Sequence, residues 1–320
     1  MAYAGAIDAA LVAARAEVLR RHSPYHFLRE LPAQAVEWQE QQFGAGRAAR
    51  FGAGQHEQVF ASGDVQFLYE LLPWDTAFFG TPTFRLFTAL FCPSATLAHL
   101  TAAVLAFRAA LAARGAVYCF VEVPAEDIRL LQALTQAGWR WNETRLHYYR
   151  AHLAAFAEPR FGVRPARPAE APRLGRIARA ARNDFDRFHA DPWFGPERAD
   201  AFLARYATAA AEGYCDAVLV PDEPGTPLDS FLAISDLTAD AEALGVGLSR
   251  IVLTAVGPAN RGWHRRLMSE TVHRARQRDA AYVLMTTQAT NGAVIRNAER
   301  LNFALGATTH VLSCPLPPQL

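Results

Sequence analysis

Residues 254–270, TAVGPANRGWHRRLMSE, set Gly257, Pro258, Gly262 and the arginines Arg261, Arg265 and Arg266 where an apolar run gives way to an amphipathic one. Such a turn suits a phosphate group: the first N–H groups of a helix lack partners, its dipole end is positive, and glycine lets the backbone come close to an anion. Arg261 would add charge and Gly262 the close approach, with Ala255, Val256 and Trp263 as flanking backbone. Gly262 equally suits an ordinary strand-to-helix turn, and a single glycine does not separate the two readings.

A second chemistry-bearing stretch is DRFHADPWF (186–194), in which Arg187 could meet a phosphate, Asp191 a hydroxyl, and the rings a flat group. Its alternative is a surface loop stapled by its own aromatics. His189, Asp236, His264 and His310 could act as a general base, directly or through water. Asn291 stands where it could cap a helix, contact a ligand, or do both. No Cys/His spacing matches a zinc site, and neither Gly-x-Ser-x-Gly nor a P-loop string occurs, so no metal is expected.

The elements that must carry these residues follow from periodicity and punctuation. MAYAGAIDAALVAARAEVLRRHSP is a soluble amphipathic helix, because Asp8, Arg15 and Glu17 leave no uncharged h-region or membrane span. EQQFGAGRAARFGAGQHEQ reads as a loop and PWDTAFFG (73–80) as an aromatic turn. Strands are expected over 64–72, 116–124 and 139–151. Helices fill 93–115, with Ser94 as N-cap and Gly115 as stop, and 125–138, closed by Gly138. Breakers over 151–174 put a boundary near 155–163.

Beyond it come helices over 167–182 and 201–213, flanking an aromatic turn-rich insert over 183–200. Strands over 215–222, 228–236 and 247–256 follow, then a helix over 263–279 that turns Leu267, Met268, Thr271, Val272 and Ala275 to one face. A strand over 280–288, a helix over 291–302 and a strand over 306–316 complete the chain. The expected segments are a helical and loop extension (1–60), a first α/β half (61–158) and a second (159–320).

The chain has 320 residues, 51% of them hydrophobic, enough for two cores. A net charge of +1 marks no general binder of nucleic acid or acidic membrane. The scattered cysteines Cys92, Cys119, Cys215 and Cys314 read as buried reduced thiols, which fits a cytoplasmic protein.

Helices, three strands, a turn, a helix, a strand, a helix and a strand resemble the GNAT acyltransferases. Val256, Pro258, Arg261 and Gly262 match the family's V-x-P-x-x-R-G loop, and Asn291, Val294, Ile295, Glu299, Arg300, Leu301 and Phe303 its later N-x-x-A-I-x-L-Y-E-K-L-G-F helix. PWDTAFFG and DRFHADPWF resemble segments of the dTDP-fucosamine acetyltransferase branch, in which a degenerate N-terminal half precedes the GNAT half. The resemblance implies an α/β (α+β) tandem fold with mixed, mostly antiparallel sheets flanked by helices.

It further implies acetyl-CoA or another acyl-CoA as co-substrate and transfer to a small-molecule primary amine, with an amino sugar nucleotide as first choice. Ala255, Val256, Arg261, Gly262, Trp263 and Asn291 would then face the donor, Arg187, Asp191 and Asp236 the acceptor, and His189 and His264 would be the candidate bases. The chain departs from the pattern in three places. The loop is two residues short and lacks its second glycine; Ala298 stands where the family has the Tyr that protonates the thiolate; and Asn302 replaces a glycine. Two alternatives follow from these departures: a catalytically silent binding protein, or a transferase fed by an acyl-carrier protein or tRNA, with Arg261, Arg265 and Arg266 as a docking patch.

Overall fold

The computed structural model describes residues 6–115 and 117–316. Two compact units emerge, neither contiguous in sequence: Met1–Arg29, Ala33–Thr144 and Thr308–Leu320 in the first, Glu30–Pro32 and Arg145–Ala307 in the second.

The first unit begins with α1 (Ala9–Ala14), capped by the Asp8 carboxylate, followed by α2 (Ala16–Arg20), α3 (Ala33–Gln42) and α4 (Ala45–Ala49). The stretch expected to be a loop therefore contains the end of α3 and all of α4. The expected N-terminal helix is broken at Arg15, and its first five residues, like Ala116 of the expected strand, lie outside the described residues. Next come β1 (Glu57–Ser62) and β2 (Val65–Leu71). PWDTAFFG forms a helix rather than a bare turn, α5 (Pro73–Phe79), started by a proline and ended by Gly80 in the left-handed conformation.

After β3 (Thr83–Leu90), α6 (Leu97–Ala112) is capped by Thr96, not Ser94, through a hydrogen bond from the His99 N–H. Then follow β4 (Val117–Pro124), α7 (Ile128–Gln136) with Asp127 as its cap, and β5 (Arg140–Arg150).

The second unit contains β6 (Val163–Pro165), α8 (Ala171–Ala180), α9 (Arg187–Ala190), α10 (Pro196–Ala209), β7 (Ala217–Pro221), β8 (Ser230–Ser235), α11 (Thr238–Leu244) and β9 (Gly247–Val256). It continues with α12 (Trp263–Gln277), β10 (Ala280–Gln288) and α13 (Gly292–Arg300), and the chain leaves it within β11 (Ala304–Leu316). The strands β1, β3 and β6 and the helix α11 had no expectation in the sequence.

Each unit is built around one mixed, mostly antiparallel sheet. In the first the order is β1-β2-β3-β4-β11, with β3 and β4 parallel and the others antiparallel. In the second it is β6-β7-β8-β9-β10-β5, with β9 and β10 the parallel pair. Both parallel pairs are joined by a helix, α6 or α12, as a parallel crossover requires.

The second unit's core lies on both faces of its sheet. On one, α12 buries the apolar residues Leu267, Met268, Val272 and Ala275 of the face its spacing predicted, together with Thr271, against β8, β10 and α13. Each fully buried Leu or Val there contributes roughly 1.5–3 kcal/mol. On the other, α8 and α10 cover Val218, Phe231 and Ala233. Cys119, Cys215 and Cys314 are buried as expected; Cys92 is only half-buried, with its thiol Sγ 2.9 Å from Ser94 Oγ, a hydrogen bond that lowers its pKa.

Candidate functional site

The site begins where two strands part. β9 pairs with β8 over its C-terminal part, from Arg250 opposite Ser235 to Val256 opposite Ser230, with one register shift. Its pairing with β10 ends at Ile251 opposite Met285, while β10 continues to Gln288 against β5. Residues 252–256 thus run alongside a gap in the sheet, where main-chain groups turned away from β8 need other partners.

Beyond Val256 the chain makes a braced turn. The Gly257 N–H donates to the Asp229 carbonyl at 2.7 Å and the Ala259 N–H to the Asp229 carboxylate at 3.0 Å. A Cβ on Gly257 would lie 2.2 Å from that carboxylate, so any side chain here would push the Asp229 carboxylate out of its place in the turn. Asn260, almost fully buried, donates to the Pro227 carbonyl and to Ser230 Oγ. Gly262 then enters α12 with φ +93°, a value costly for any other residue, and no side chain caps the helix. The first N–H groups of α12 are left for water or a ligand.

A cavity of about 530 Å³ opens at this point. One wall is Val256, Gly257, Pro258, Arg261, Gly262 and His264; the facing wall is one side of α13, with Ala293, Arg296, Asn297 and Arg300; the end of α8 closes it with Ala180 and Ala181. No carboxylate lines it, and Arg261, Arg296 and Arg300 have no ion-pair or hydrogen-bond partner among the described residues. Three such positive charges beside a helix N-terminus give this wall a positive potential that suits an anion.

His264 belongs to this wall, with its Nδ1 2.9 Å from Asn297 Nδ2. The amide N–H is the donor, so the imidazole proton sits on Nε2, which is buried with no partner. Burial pushes the His264 pKa down to about 4, leaving the ring neutral at pH 7 and a weak base. Its chemistry is that of a hydrogen-bond donor.

The other expected site residues are placed elsewhere. Ala255 is buried beneath α8 and α10, Trp263 packs in the α12 core, and Asn291 caps α13 by accepting from the Val294 N–H at 3.3 Å. His189, expected as a base, is 3% exposed, with Nδ1 2.8 Å from Asp186 and Nε2 3.0 Å from Asp200. Both nitrogens are occupied, which leaves none for an acceptor.

Arg187 and Asp191 are likewise buried; the guanidinium lies over the Phe188 ring and the carboxylate accepts from the Trp193 N–H. Asp236 is bound by Arg274, Arg278 and Ser249 and lines a different cavity. Roughly 23 Å of strand separates Ser249 from Val256. His310 lies in the first unit, against Trp141 and Thr144.

The sequence reading missed Arg296, Asn297 and Arg300. The signal was present, since 293, 296, 297 and 300 share one helix face at spacings of three, four and seven. Arg265 and Arg266, grouped with Arg261 as a docking patch, pair instead with Glu158 and Glu223. Among the described residues no group of three or more His, Cys, Asp and Glu is placed to hold a metal ion. No described helix is long and apolar enough to cross a membrane.

No protein-family model matches the chain, and no curated protein matches it. Solved structures do. A GCN5-related N-acetyltransferase from Sphaerobacter thermophilus aligns over 98% of this chain and 95% of its own, with 13% identity and a TM-score of 0.55. A conserved protein of unknown function from Staphylococcus epidermidis aligns over 81% and 94%, with 11% identity and a TM-score of 0.54. A tandem GNAT protein from the clavulanic acid biosynthesis pathway aligns over 99% and 98%, with 13% identity and a TM-score of 0.50. At these identities the likeness is one of fold, and the fold is an α/β tandem arrangement of the GCN5-related N-acetyltransferase type.

Proposed function

We propose that this chain transfers an acyl group from a coenzyme A thioester to a primary amine. The observation that carries the reading is the parting of β9 from β10 immediately before the cationic cavity. A thioester lying in that gap with its phosphates in the cavity would meet unpaired strand N–H groups at its carbonyl, where negative charge develops during attack. The neutral amine forms the new C–N bond, the C–S bond breaks, the sulfur leaves as thiolate, and the ammonium proton passes to water.

The residues present fit such a donor. Arg261, Arg296, Arg300 and the open start of α12 supply charge, and the His264 Nε2–H is a buried donor without a partner beside them. Ala298, in the position of the family's proton donor, is fully buried in the core and supplies nothing. A thiolate, with a pKa of about 8.5, leaves tolerably without an acid, at a cost of roughly 10²–10⁴-fold in rate. The acceptor reading stops at a primary amine, because the side chains of DRFHADPWF suited to a sugar nucleotide are turned inward.

Calorimetric titration with acetyl-CoA and longer acyl-CoA thioesters, followed by mass spectrometry of mixtures with an amine panel, tests the proposal. Binding and an N-acyl product are expected. Folded protein that neither binds a CoA thioester nor yields product from any of them overturns it.

A further inference from the structure

We infer that the donor's phosphates are gripped by a side-chain clamp of Arg261, Arg296 and Arg300 in place of a glycine-rich loop of amides, and that this clamp selects free CoA thioesters over carrier-bound phosphopantetheine. The inference rests on the proposed acyl-CoA reading and deepens it.

The turn between β9 and α12 offers few amides. Residues 258–260 form a 3-10 turn, the Gly257 and Ala259 N–H groups are spent on Asp229, and the Asn260 N–H donates to the Gly257 carbonyl. What the turn lacks, α13 supplies. Arg296 and Arg300 are four residues apart and therefore stacked on one face of the helix, across the cavity from Arg261. In a wall without a carboxylate their charge is not neutralised locally, unlike that of Arg265 and Arg266, which have acidic partners. His264 adds a buried Nε2–H without an acceptor, a donor that an incoming oxygen would satisfy.

Charge count decides between the donor classes. A phosphopantetheine arm on a carrier protein brings one phosphodiester, about −1, whereas free CoA brings a pyrophosphate and a 3′-phosphate, the latter alone about −1.5 to −2. Three uncompensated arginines are matched by the second and over-provided for the first. Guanidinium groups also grip phosphate in a two-pronged fashion that an ammonium cannot, which suits a cluster of phosphoryl oxygens.

The test measures binding rather than turnover. CoA, 3′-dephospho-CoA, 4′-phosphopantetheine and inorganic pyrophosphate are titrated into the wild-type chain, an Arg296→Gln/Arg300→Gln variant and an Arg265→Gln control, at 50 and 300 mM salt. A charged hydrogen bond lost from a cluster costs about tenfold to a hundredfold in affinity. CoA should therefore weaken at least a hundredfold in the double variant and be unchanged in the control. Wild-type affinity should be higher for CoA than for either dephospho-CoA or 4′-phosphopantetheine, each of which carries about two fewer negative charges, and should fall with salt most steeply for CoA.

A double variant that keeps its circular dichroism and binds CoA like the wild type overturns the clamp while leaving the acyl-CoA reading intact. Phosphopantetheine binding as tightly as CoA overturns the donor selection. If the wild type binds no CoA, the acyl-CoA reading fails. Pyrophosphate then decides the clamp: binding lost in the double variant keeps the anion site, and no binding removes it.

Discussion

His264 and His22 should make this protein lose stability in mild acid, by an amount set by their burial. Burial pushes the His264 pKa down to about 4 from an ordinary 6.5. His22, in the first unit, is pushed down to about 3 by burial and then by the neighbouring Arg15 charge. Both rings are neutral when folded, and both take a proton in the unfolded chain as pH drops below 6.5. The unfolded state then binds more protons, so stability falls with falling pH and, for His264, stops falling near pH 4. Between pH 7 and pH 5 each ring removes about 2 kcal/mol, the integral of a slope approaching 1.4 kcal/mol per pH unit. Urea denaturation at pH 7 and pH 5, for wild type and His264→Gln, isolates the term because all other titrations cancel in the difference. The wild type should lose about 2 kcal/mol more than the variant. Parallel losses in the two proteins would show that His264 is not held neutral, and with that the assignment of its Nε2–H as a donor would fall.

Three further outcomes follow from the same geometry. Ala298→Tyr, which introduces the tyrosine of the pattern this helix resembles, should not supply an acid: the position is fully buried, so the phenol overpacks the core at about 1–3 kcal/mol, and a gain in kcat from folded protein would refute this. Asp127→Ala strands the buried Arg15 guanidinium it pairs with, their side chains being 1% and 6% exposed, and should cost about 3–5 kcal/mol by urea denaturation; a loss below about 1 kcal/mol would place the pair among ordinary surface bridges. Acyl transfer should rise with pH toward the acceptor amine's own pKa with no inflection near 6.5, because His264 is held near 4 and both His189 nitrogens face carboxylates; an acid limb titrating near 6.5 would reveal a histidine base.

The fold was legible wherever period and punctuation agreed. β9 and the start of α12 fall where the sequence put them, because an apolar run ends in Gly-Pro and a one-faced pattern begins after Gly262. β6 was hidden because it is short and ends in Pro165, a residue that suits only an edge. α4 was hidden because GAGRAA has the composition of a loop, and packing of Ala48 beside Leu11 and Leu19 overrides it. The site was legible only in its backbone part. DRFHADPWF carries residue types that bind ligands, but the same types bind each other, and no pattern in one sequence says whether Asp186 and Asp200 hold a substrate or His189. Conversely, Arg296 and Arg300 read as an ordinary polar helix face, since which neighbour that face meets is a tertiary fact.

On the proposed reading, a missing glycine motif is not a missing anion site. Backbone amides and arginines offer the same thing to a phosphate, directed N–H groups and positive potential, but at different costs. Amides are fixed by the turn and demand glycine; arginines demand only that no carboxylate neutralise them. Here Arg265 and Arg266, on α12, are paired with acids, while Arg261 and the α13 pair are left free across an acid-poor wall. Three arginine side chains also respond to salt more than a turn of amides does, since partly exposed charges are screened where short amide contacts are not. Affinity for a phosphorylated donor should accordingly depend on ionic strength more steeply in this chain than in a fold whose loop keeps all its glycines.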